Sequence, residues 1–458
     1  MRSASICKMS LLALALLPIT SVWAAGCTSV WAARSGSSLD DEYRASTQDS
    51  AGNLYLAGFE GGRLHVENDW PVGDSRGFVE KHSPDGALIW RRLFNVGAID
   101  IVDAIAWDPP GNRLVLAGRT SGTLSGAGEG QLSLLLATLD VATGSVLAID
   151  QYRDTYPQHP ASIAVLPSGD FVVAGNSDTY VEGNAVLGQP TLFVARFSHN
   201  AAGSHAFAQQ WWLRPNVPGP LTPPSYAYSV SAMNDGSDDV TVTTRSLGRG
   251  QGIGLKRLDA SGAIVWNAQI SPQSSDVAIA TQVSRDGRLY VAGTTGLPLA
   301  GRPLGNSDGY LMELAAGSGQ TLWGQQFGSR GADWVWSLAI NESGRLFVAG
   351  ITDGAVALGA TSEKNSAYAL AFSADGLLLG DWQAALPAPA DFVESLSLTP
   401  ACGNAVLISG QINGELPTLP SLGAADAIVL AARLNSRDES VFESGFEGGD
   451  VHTLQVPN

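Results

Sequence analysis

Short apolar stretches recur along the chain at an almost constant spacing, and most of them end in Ala-Gly. Polar, glycine-containing stretches separate them, as expected for strands joined by turns. The copies lie about 59 residues apart and comprise Leu54–Gly58, Leu114–Gly118, Phe171–Gly175, Val240–Thr244, Leu289–Gly293, Leu346–Gly350 and Ala405–Gly410. A fixed period of this length predicts a repeat architecture in which each copy is one supersecondary unit.

The sixth repeat shows the pattern of one unit most clearly. It predicts four strands, Trp336–Ile340, Arg345–Thr352, Ala367–Phe372 and Leu377–Ala384. The turns Asn341–Gly344 and Ser373–Gly376 carry glycine where a tight hairpin needs a positive backbone angle. Four antiparallel strands in each of seven repeats predict an all-β fold, a single seven-bladed β-propeller.

Side-chain size differs between the first and the fourth strand of each predicted blade. The first strands surround a crowded central channel and carry small residues, at Ala45, Ala104, Ala106, Ser162, Ala164, Ser229, Ser231, Ala278, Ala280, Ser337, Ala339, Ser395 and Ser397. Tryptophan occurs in most fourth strands, at Trp90, Trp211, Trp266, Trp323 and Trp382. Because the gaps between blades widen outward, we interpret these rings as packing between blades.

The first 24 residues have the features of a secretory signal peptide. Arg2 and Lys8 give a positive start, and the apolar run Ser10–Val22 follows. This run is shorter than the roughly 20 residues of a membrane span, and Val22–Ala24 offers a cleavage site. We therefore expect an exported chain, periplasmic or extracellular, without a transmembrane segment.

The seventh repeat provides three good strands, and the mature N-terminus offers the missing fourth one. Ser29–Ala33 has a suitable apolar pattern and includes a tryptophan. Its pairing in the last blade would join the two ends of the chain and remove an exposed sheet edge. The predicted organisation is a propeller over residues 28–441 and a tail over residues 442–458, whose role stays open.

Two cysteines remain after removal of the signal peptide, and they allow three interpretations. Cys27 precedes the borrowed fourth strand, and Cys402 lies in the turn between the first and second strands of the same blade. Both fall at one end of that blade, so a disulfide between them would lock the ring in an oxidising compartment. Ala24–Cys27 also resembles a lipobox weakly, which would place a lipid anchor on Cys27. The third possibility is two free thiols.

The charge and the motifs exclude several function classes. Without Arg2 and Lys8, 24 basic residues stand against 43 acidic ones, a net charge of −19. Such a chain repels nucleic acid and anionic membrane surfaces, so we expect neither as a partner. The six histidines lack metal-ligand spacing, and the sequence contains no nucleophile elbow or phosphate loop. The sequence therefore identifies no catalytic residue and no cofactor motif.

Part of the sequence is similar to a known repeat. The stretch Trp323–Gly350, with Gly331–Asp333 and Ser343–Gly350 inside it, resembles the bacterial seven-bladed propeller repeat known as SBBP. Asn306–Tyr310 is similar to the Gly-Asp-aromatic step that opens the third strand in that family. The resemblance implies the propeller fold and export. It implies no shared activity, because propellers carry many functions.

One polar position recurs at the start of each blade. It is occupied by Asp41, Asp100, Asp276, Asp333 and Asp391, and by Gln158 and Ser225 in blades three and four. The resemblance favours a structural role, since aspartate at this step is typical of the repeat. Such a side chain accepts hydrogen bonds from nearby backbone N–H groups and fixes a tight loop. The alternative is a cation site such as Ca²⁺, which needs several oxygens at once.

The predicted ligand site lies on the loop-rich face, where the loops before the first strands meet those between second and third strands. Aromatic and arginine side chains are typical of contact hot spots. The candidate residues are Glu67, Asp69, Trp70, Trp212, Arg214 and Tyr226. The alternative is that these loops are merely solvated.

Three functions are compatible with this pattern. The favoured one is an exported, non-catalytic binding or scaffold propeller that uses the loop-rich face for a protein or a glycan. The second is a carbohydrate-active hydrolase or lyase, in which loop carboxylates such as Glu67 and Asp69 act as acid and base. The third is a purely structural surface module.

Overall fold

The structure is a computed structural model. It describes residues 32–62, 64–65, 70–71, 75–97, 99–124, 132–152, 157–177, 181–182, 185–186, 190–200, 205–213, 224–247, 252–271, 276–360, 366–384, 391–401, 405–413, 421–422, 425–436 and 452–455. Every regular element in these ranges is a β-strand, so none of them contains a helix that could cross a membrane. Seven sheets, each with four antiparallel strands, form the blades of a ring, which confirms the predicted all-β seven-bladed β-propeller.

In each blade the strands follow one another outward from the centre. The first, innermost strands are Asp40–Gln48, Asp100–Asp108, Gln158–Val165, Ser225–Ala232, Val277–Val283, Asp333–Ile340 and Asp391–Pro400. The second strands are Leu54–Gly62, Arg113–Thr120, Phe171–Ser177, Val240–Ser246, Leu289–Thr295, Leu346–Thr352 and Ala405–Asn413. The repeated apolar stretch of the sequence is thus the second strand of every blade.

The outer half of each blade completes the sheet. The third strands are Arg76–His82, Ser133–Asp140, Thr191–His199, Ile253–Leu258, Asp308–Leu314, Ser366–Phe372 and Asp426–Arg433. The fourth strands of blades one to six are Leu88–Phe94, Val146–Tyr152, Phe207–Leu213, Ile264–Ser271, Thr321–Phe327 and Leu378–Gln383. Two small ribbons lie outside the blades, Leu64–His65 with Trp70–Pro71 and Val181–Glu182 with Ala185–Val186.

The N-terminal segment closes the ring, as the sequence predicted. Ala32–Ser35 pairs antiparallel with the third strand of blade seven, Asp426–Arg433, and becomes the fourth strand of that blade. Arg34 donates to Asp426 at 2.9 Å, so a buried ion pair supports the four backbone pairs. The first strand of each blade contacts that of the next, and blade seven contacts blade one. The two cysteines of the predicted disulfide, Cys27 and Cys402, lie outside the described residues.

The C-terminal part of the chain adds strands to the outer edges of two blades. Asn435–Ser436 pairs with the fourth strand of blade six. His452–Gln455 pairs antiparallel with the fourth strand of blade five, from Trp323↔Gln455 to Gln326↔His452. This part of the predicted tail therefore returns to the propeller, whereas residues 437–451 lie outside the described residues.

Seven apolar clusters fill the seams between neighbouring blades, one for each seam. At the outer rim, four seams share one arrangement, in which a fourth-strand tryptophan covers a positive-φ glycine in the next blade. The pairs are Trp90 with Gly144, Trp211 with Gly262, Trp266 with Gly319 and Trp323 with Gly376. These four tryptophans therefore pack between blades as the sequence predicted.

A carbonyl group of the next blade holds the tryptophan in three of these seams. The Nε1 atoms of Trp90, Trp211 and Trp266 donate to Val141, Ala260 and Ala316 at 3.3, 2.9 and 2.9 Å. A third-strand cation donates to the same oxygen in each case, and these cations are Lys81, Arg196 and Arg257. One turn carbonyl thus ties two side chains of the preceding blade.

The glycine of the Ala-Gly marker has a steric explanation. In five blades its α-carbon faces a backbone carbonyl of the first strand, at Gly58, Gly118, Gly175, Gly293 and Gly350. A Cβ atom on Gly350 would lie 1.8 Å from the carbonyl oxygen of Trp334. No side chain fits there, so the close approach of the first and second strands requires glycine.

Candidate ligand site at the channel mouth

First strands begin, and second strands end, at the same end of the propeller, which we call the mouth of the central channel. The recurring polar position of the sequence lies here, as the first or second residue of the first strand or, for Asp276, as the residue just before it. Asp41, Asp100, Asp276 and Asp333 are fully buried there. Asp391 begins the first strand of blade seven, and its side chain lies outside the described residues.

The buried aspartates make the contacts of a loop cap. Asp41 accepts the backbone N–H groups of Ser37 at 2.6 Å and Gly61 at 2.9 Å. Asp333 accepts the N–H of Ser329 at 2.6 Å and the hydroxyl of Thr352. Burial raises the pKa of both Asp41 and Asp333 to about 6, because desolvation disfavours the charged carboxylate more than these hydrogen bonds favour it.

The same arrangement recurs in two further blades. Asp100 accepts the N–H groups of Val96 at 2.7 Å and Gly97 at 3.0 Å, and burial raises the pKa of Asp100. Asp276 accepts the hydroxyl of Ser271 at 2.5 Å. Within the described residues, no three His, Cys, Asp or Glu side chains form a group suited to a metal ion. The cation alternative at this ring stays untested.

Three residues after the capping position, the first strands of blades one to six contain a bulge. The strand register skips one residue there, and that residue differs from blade to blade. The bulged residues, which together we call the bulge ring, are Arg44, Asp103, Ala161, Tyr228, Ile279 and Trp336. The capping residues are nearly constant, whereas the residues of the bulge ring vary. They are charged in blades one and two and aliphatic or aromatic in blades three to six, so the two sides of the mouth differ.

The charged side of the mouth is a chain of ion pairs across blades one to three. Arg44 lies 3.4 Å from Glu42 and 3.4 Å from Asp103 of the next blade. Asp103 also pairs with Arg119 at 3.2 Å, and the Arg119 guanidinium donates to Nδ1 of His159 in blade three. Two carboxylates thus lie against two guanidinium groups in one continuous chain of contacts.

The apolar side of the mouth presents aromatic rings on blades four and six. Tyr226 and Tyr228 stack with their ring centroids 6.2 Å apart, and Arg245 donates to the Tyr228 hydroxyl at 3.4 Å. On blade six, Trp334 is 38 % exposed, and Trp336 packs partly buried against the core of the seam to blade seven. The backbone carbonyl of Trp334 accepts the Tyr368 hydroxyl at 3.2 Å, which fixes the backbone that carries this exposed ring.

Several buried polar atoms at the mouth have no hydrogen-bond partner among the described residues. They are Oδ2 of Asp103, Nε of Arg119, Nε1 of Trp336 and both amide atoms of Gln411. Gln411 follows the marker glycine in the second strand of blade seven, at the position that Arg119 takes in blade two. Leaving such atoms unsatisfied costs stability, so this region favours water or a ligand that supplies the missing partners.

The residues predicted from the sequence lie in different places. Tyr226 belongs to the mouth. Trp212 belongs to the fourth strand of blade three, where its ring stacks on Phe193 with centroids 5.0 Å apart. Trp70 lies in a small ribbon, and its side chain is outside the described residues. Glu67, Asp69 and Arg214 are outside them as well.

The bulge ring and the ion-pair chain were missed in the sequence. Their signal was the contrast between a nearly constant capping position and a variable residue three positions later, as in Asp41 with Arg44 and Asp333 with Trp336. An alternation pattern assigns that residue to a regular strand face. The bulge breaks this alternation, so the residue lies over a seam instead.

Comparisons with known proteins give similar solved structures, all at low sequence identity. No protein-family profile and no curated protein matches the chain, so the SBBP resemblance stays an expectation. A polysaccharide lyase of family PL25, an ulvan lyase, is 9 % identical with a TM-score of 0.47, over 90 % of this chain and 99 % of that one. An α-L-arabinanase of Penicillium chrysogenum, solved with arabinobiose, is 10 % identical with a TM-score of 0.41, over 71 % and 91 %.

A third similar structure is the sialidase of Trypanosoma rangeli, solved with sialic acid. It is 9 % identical with a TM-score of 0.41, and the match covers 88 % of this chain and 58 % of that one. The assignment of the fold rests on the strand pairing described above.

Proposed function

We propose that this propeller is a non-catalytic glycan-binding protein whose ligand enters the channel mouth. The observation that supports it is the division of the bulge ring, with Arg44 and Asp103 on one side and Tyr228 and Trp336 on the other. Small-ligand sites combine aromatic surface with a few placed polar groups. A saccharide presents both a C–H face for stacking and hydroxyls that donate and accept.

The burial of the polar groups favours a small ligand over a folded protein surface. Asp103 is 7 % exposed and Arg119 is 1 % exposed, so only a narrow group entering the mouth reaches them. A protein interface of standard size needs about 800 Å² of accessible surface on each partner. The end of a sugar chain avoids both restrictions. One or two sugar residues fit a narrow opening, and they need no large interface.

Exposed aromatic surface supplies the second half of the proposed site. Trp334 and Tyr226 lie at equivalent positions of blades six and four, directly after the capping position. Trp334 is the more exposed of the two, and its backbone is fixed by the contact with Gly350. A rigid, exposed tryptophan stacks on an apolar ring face at low entropic cost.

Two further parts of the proposal depend on the sequence alone. The predicted signal peptide, residues 1–24, would place the mature chain outside the cytoplasm, where polysaccharides are abundant ligands. Lipid anchoring through Cys27 and a disulfide between Cys27 and Cys402 are alternative proposals of the same kind, because one sulfur atom cannot form both bonds. Mass spectrometry of the mature protein tests all three, because each changes the N-terminal fragment.

The test of glycan binding uses Trp334→Ala. Isothermal titration with cello-, chito-, manno- and malto-hexaose identifies the sugar that binds the mature wild-type chain. For that sugar we expect Trp334→Ala to lose about 2 kcal/mol of binding free energy, near thirtyfold in Kd, since the stacking surface disappears. The matched control is Leu147→Ala, an apolar position at the outer rim of blade two that is even more exposed than Trp334, and we expect it to bind like the wild type.

Three outcomes would argue against the proposal. Failure of every hexaose to bind the folded wild-type chain would remove it, as would unchanged binding by Trp334→Ala. Release of reducing sugar from the bound hexaose would favour the hydrolase alternative, and an unsaturated product absorbing in the ultraviolet would favour the lyase. Glu67→Gln and Asp69→Asn then decide whether the predicted loop carboxylates perform that cleavage.

A further inference from the structure

We infer that the mouth selects uncharged glycans, and that Asp103 is the residue that sets this selectivity. The inference rests on the proposed function and narrows its ligand class. It starts from the positions of the ionised groups at the mouth. Arg44 and Arg119 are the guanidinium groups of the ion-pair chain, and each already lies within 3.4 Å of a carboxylate.

Asp103 stands at the centre of the chain because it contacts both guanidinium groups. Its Oδ1 atom lies 3.4 Å from Arg44 and 3.2 Å from Arg119. Its Oδ2 atom is buried and has no hydrogen-bond partner among the described residues. A carboxylate oxygen only accepts, so the group that satisfies Oδ2 must donate, as a sugar hydroxyl or a water molecule does.

An anionic sugar lacks a favourable position next to this oxygen. Its carboxylate would face Asp103 and Glu42 in a partly desolvated site, where like charges repel more strongly than in water. The guanidinium charges that would attract it are already balanced by those same carboxylates. The excess of acidic residues in the whole chain, 43 against 26 basic ones, acts in the same direction at longer range.

Asp103→Asn is the substitution that isolates this effect. Asparagine keeps the size of the side chain and removes the one negative charge that contacts both Arg44 and Arg119. The local potential next to these two guanidinium groups then becomes more positive than in the wild type. Specificity that arises from repulsion is lost when the repulsive group is neutralised. Asp103→Asn therefore is expected to admit anionic sugars.

The experiment compares one glycan with its charged counterpart. The hexaose that binds best is oxidised at C6 to the uronate, so the two probes differ in charge and share their backbone. For the wild type we expect the oxidised probe to bind about tenfold more weakly, a free-energy difference of roughly 1.4 kcal/mol. For Asp103→Asn we expect the two dissociation constants to differ by less than about threefold.

Two further variants separate the charge of the mouth from other causes. Asp103→Asn with Arg119→Gln removes both charges of the buried pair, so the net charge equals that of the wild type, and it is expected to discriminate about tenfold again. Asp235→Asn is the control, because Asp235 pairs with Arg257 at 2.7 Å in the turn between the first and second strands of blade four, at the opposite end of the propeller. It changes the net charge equally and is expected to bind like the wild type.

The outcomes distinguish this inference from the proposed function. If no hexaose binds the wild type, the proposed function fails. If a hexaose binds and its oxidised form binds as tightly, the selectivity inference fails while glycan binding stands. Unchanged discrimination by folded Asp103→Asn also overturns it, and a thermal melt of each variant confirms that folding is retained.

Discussion

The outer and inner ends of the seams between blades are held in different ways. At the outer rim, one device is repeated in four seams, a tryptophan of one blade over a positive-φ glycine of the next. At the inner ring, the contact between neighbouring first strands changes from seam to seam. An ion pair joins blades one and two through Arg44 and Asp103, whereas Ser231 donates to Thr281 between blades four and five.

The difference separates what builds the ring from what varies within it. The tryptophan–glycine contact at the rim uses the same two residue types in each of the four seams, so it sets a similar spacing between those blades. The inner ring is held by several interchangeable bridges, such as Ser46 with Ser397 at 2.7 Å and Leu398 with Ser337 at 3.2 Å. Because the bridges differ from seam to seam, neighbouring positions are able to carry the chemistry of a ligand site.

The largest effect is expected from breaking the rim device with Gly262→Ala. Gly262 has a φ of 83°, and a Cβ atom there would lie 2.9 Å from the Trp211 ring. Left-handed strain and overpacking add, so we expect a loss of about 3–4 kcal/mol in the free energy of unfolding by urea titration. Gly344→Ala is the control, with a φ of 79° and open space around it, and is expected to lose about 1 kcal/mol.

A loss by Gly344→Ala equal to that of Gly262→Ala would show that backbone strain alone explains both. The packing of tryptophan on glycine would then contribute nothing measurable. An unchanged stability of Gly262→Ala would mean that the turn moves away from Trp211 without cost.

A smaller effect is expected at the inner ring from the titration of Asp333. Its pKa is raised to about 6 in the folded chain from 3.8, so between these values the folded state keeps a proton that the unfolded state releases. The unfolding free energy therefore falls as pH rises from about 4 to 6, by roughly 2–3 kcal/mol, and is level above that. Asp333→Asn is expected to lack this fall.

The measurement is the difference in unfolding free energy between the wild type and Asp333→Asn across pH 4 to 7.5, which cancels the other titrating groups. A constant difference would contradict the raised pKa. Asp375→Asn serves as the control, because it also removes one carboxylate, but from an exposed partner of Arg288.

The smallest effect is expected from an inner bridge. Ser231→Ala removes the hydrogen bond from the Ser231 hydroxyl to the Thr281 carbonyl, 2.6 Å long and buried. We expect a loss of about 1 kcal/mol in urea titration, since one neutral hydrogen bond is lost and one carbonyl stays buried. A loss as large as that of Gly262→Ala would mean that the inner bridges hold the ring as firmly as the rim, which would remove the contrast drawn above.

Much of the fold was predictable because its signals are local. Apolar alternation and Gly-containing turns located the strands of blade six, and the three-strand last repeat indicated that the N-terminus completes blade seven. The observed strand, Ala32–Ser35, overlaps the predicted Ser29–Ala33, of which residues 29–31 lie outside the described residues. Strand ends depend on pairing partners far away in the sequence, which single-sequence patterns do not contain.

The ligand site was less predictable because it depends on geometry that the pattern hides. The sequence pointed to long loops, of which Glu67, Asp69 and Arg214 lie outside the described residues. It assigned Trp212 to a loop, whereas the fourth strand of blade three continues to Leu213. The ion-pair chain joins residues as distant as Glu42 and His159, and only the ring brings them together.

Because the N-terminal strand closes the ring, the propeller closes only after its last blade has been synthesised. Ala32–Ser35, the first of the described strands to be synthesised, pairs only after Asp426–Arg433 has been synthesised, which follows the six other blades. Pairings this distant in sequence form slowly, so we expect blade seven to be finished last. A copy that stops short of residue 426 keeps an open edge of the kind that favours aggregation. Only a chain that includes Asp426–Arg433 forms a closed ring without an open sheet edge in blade seven.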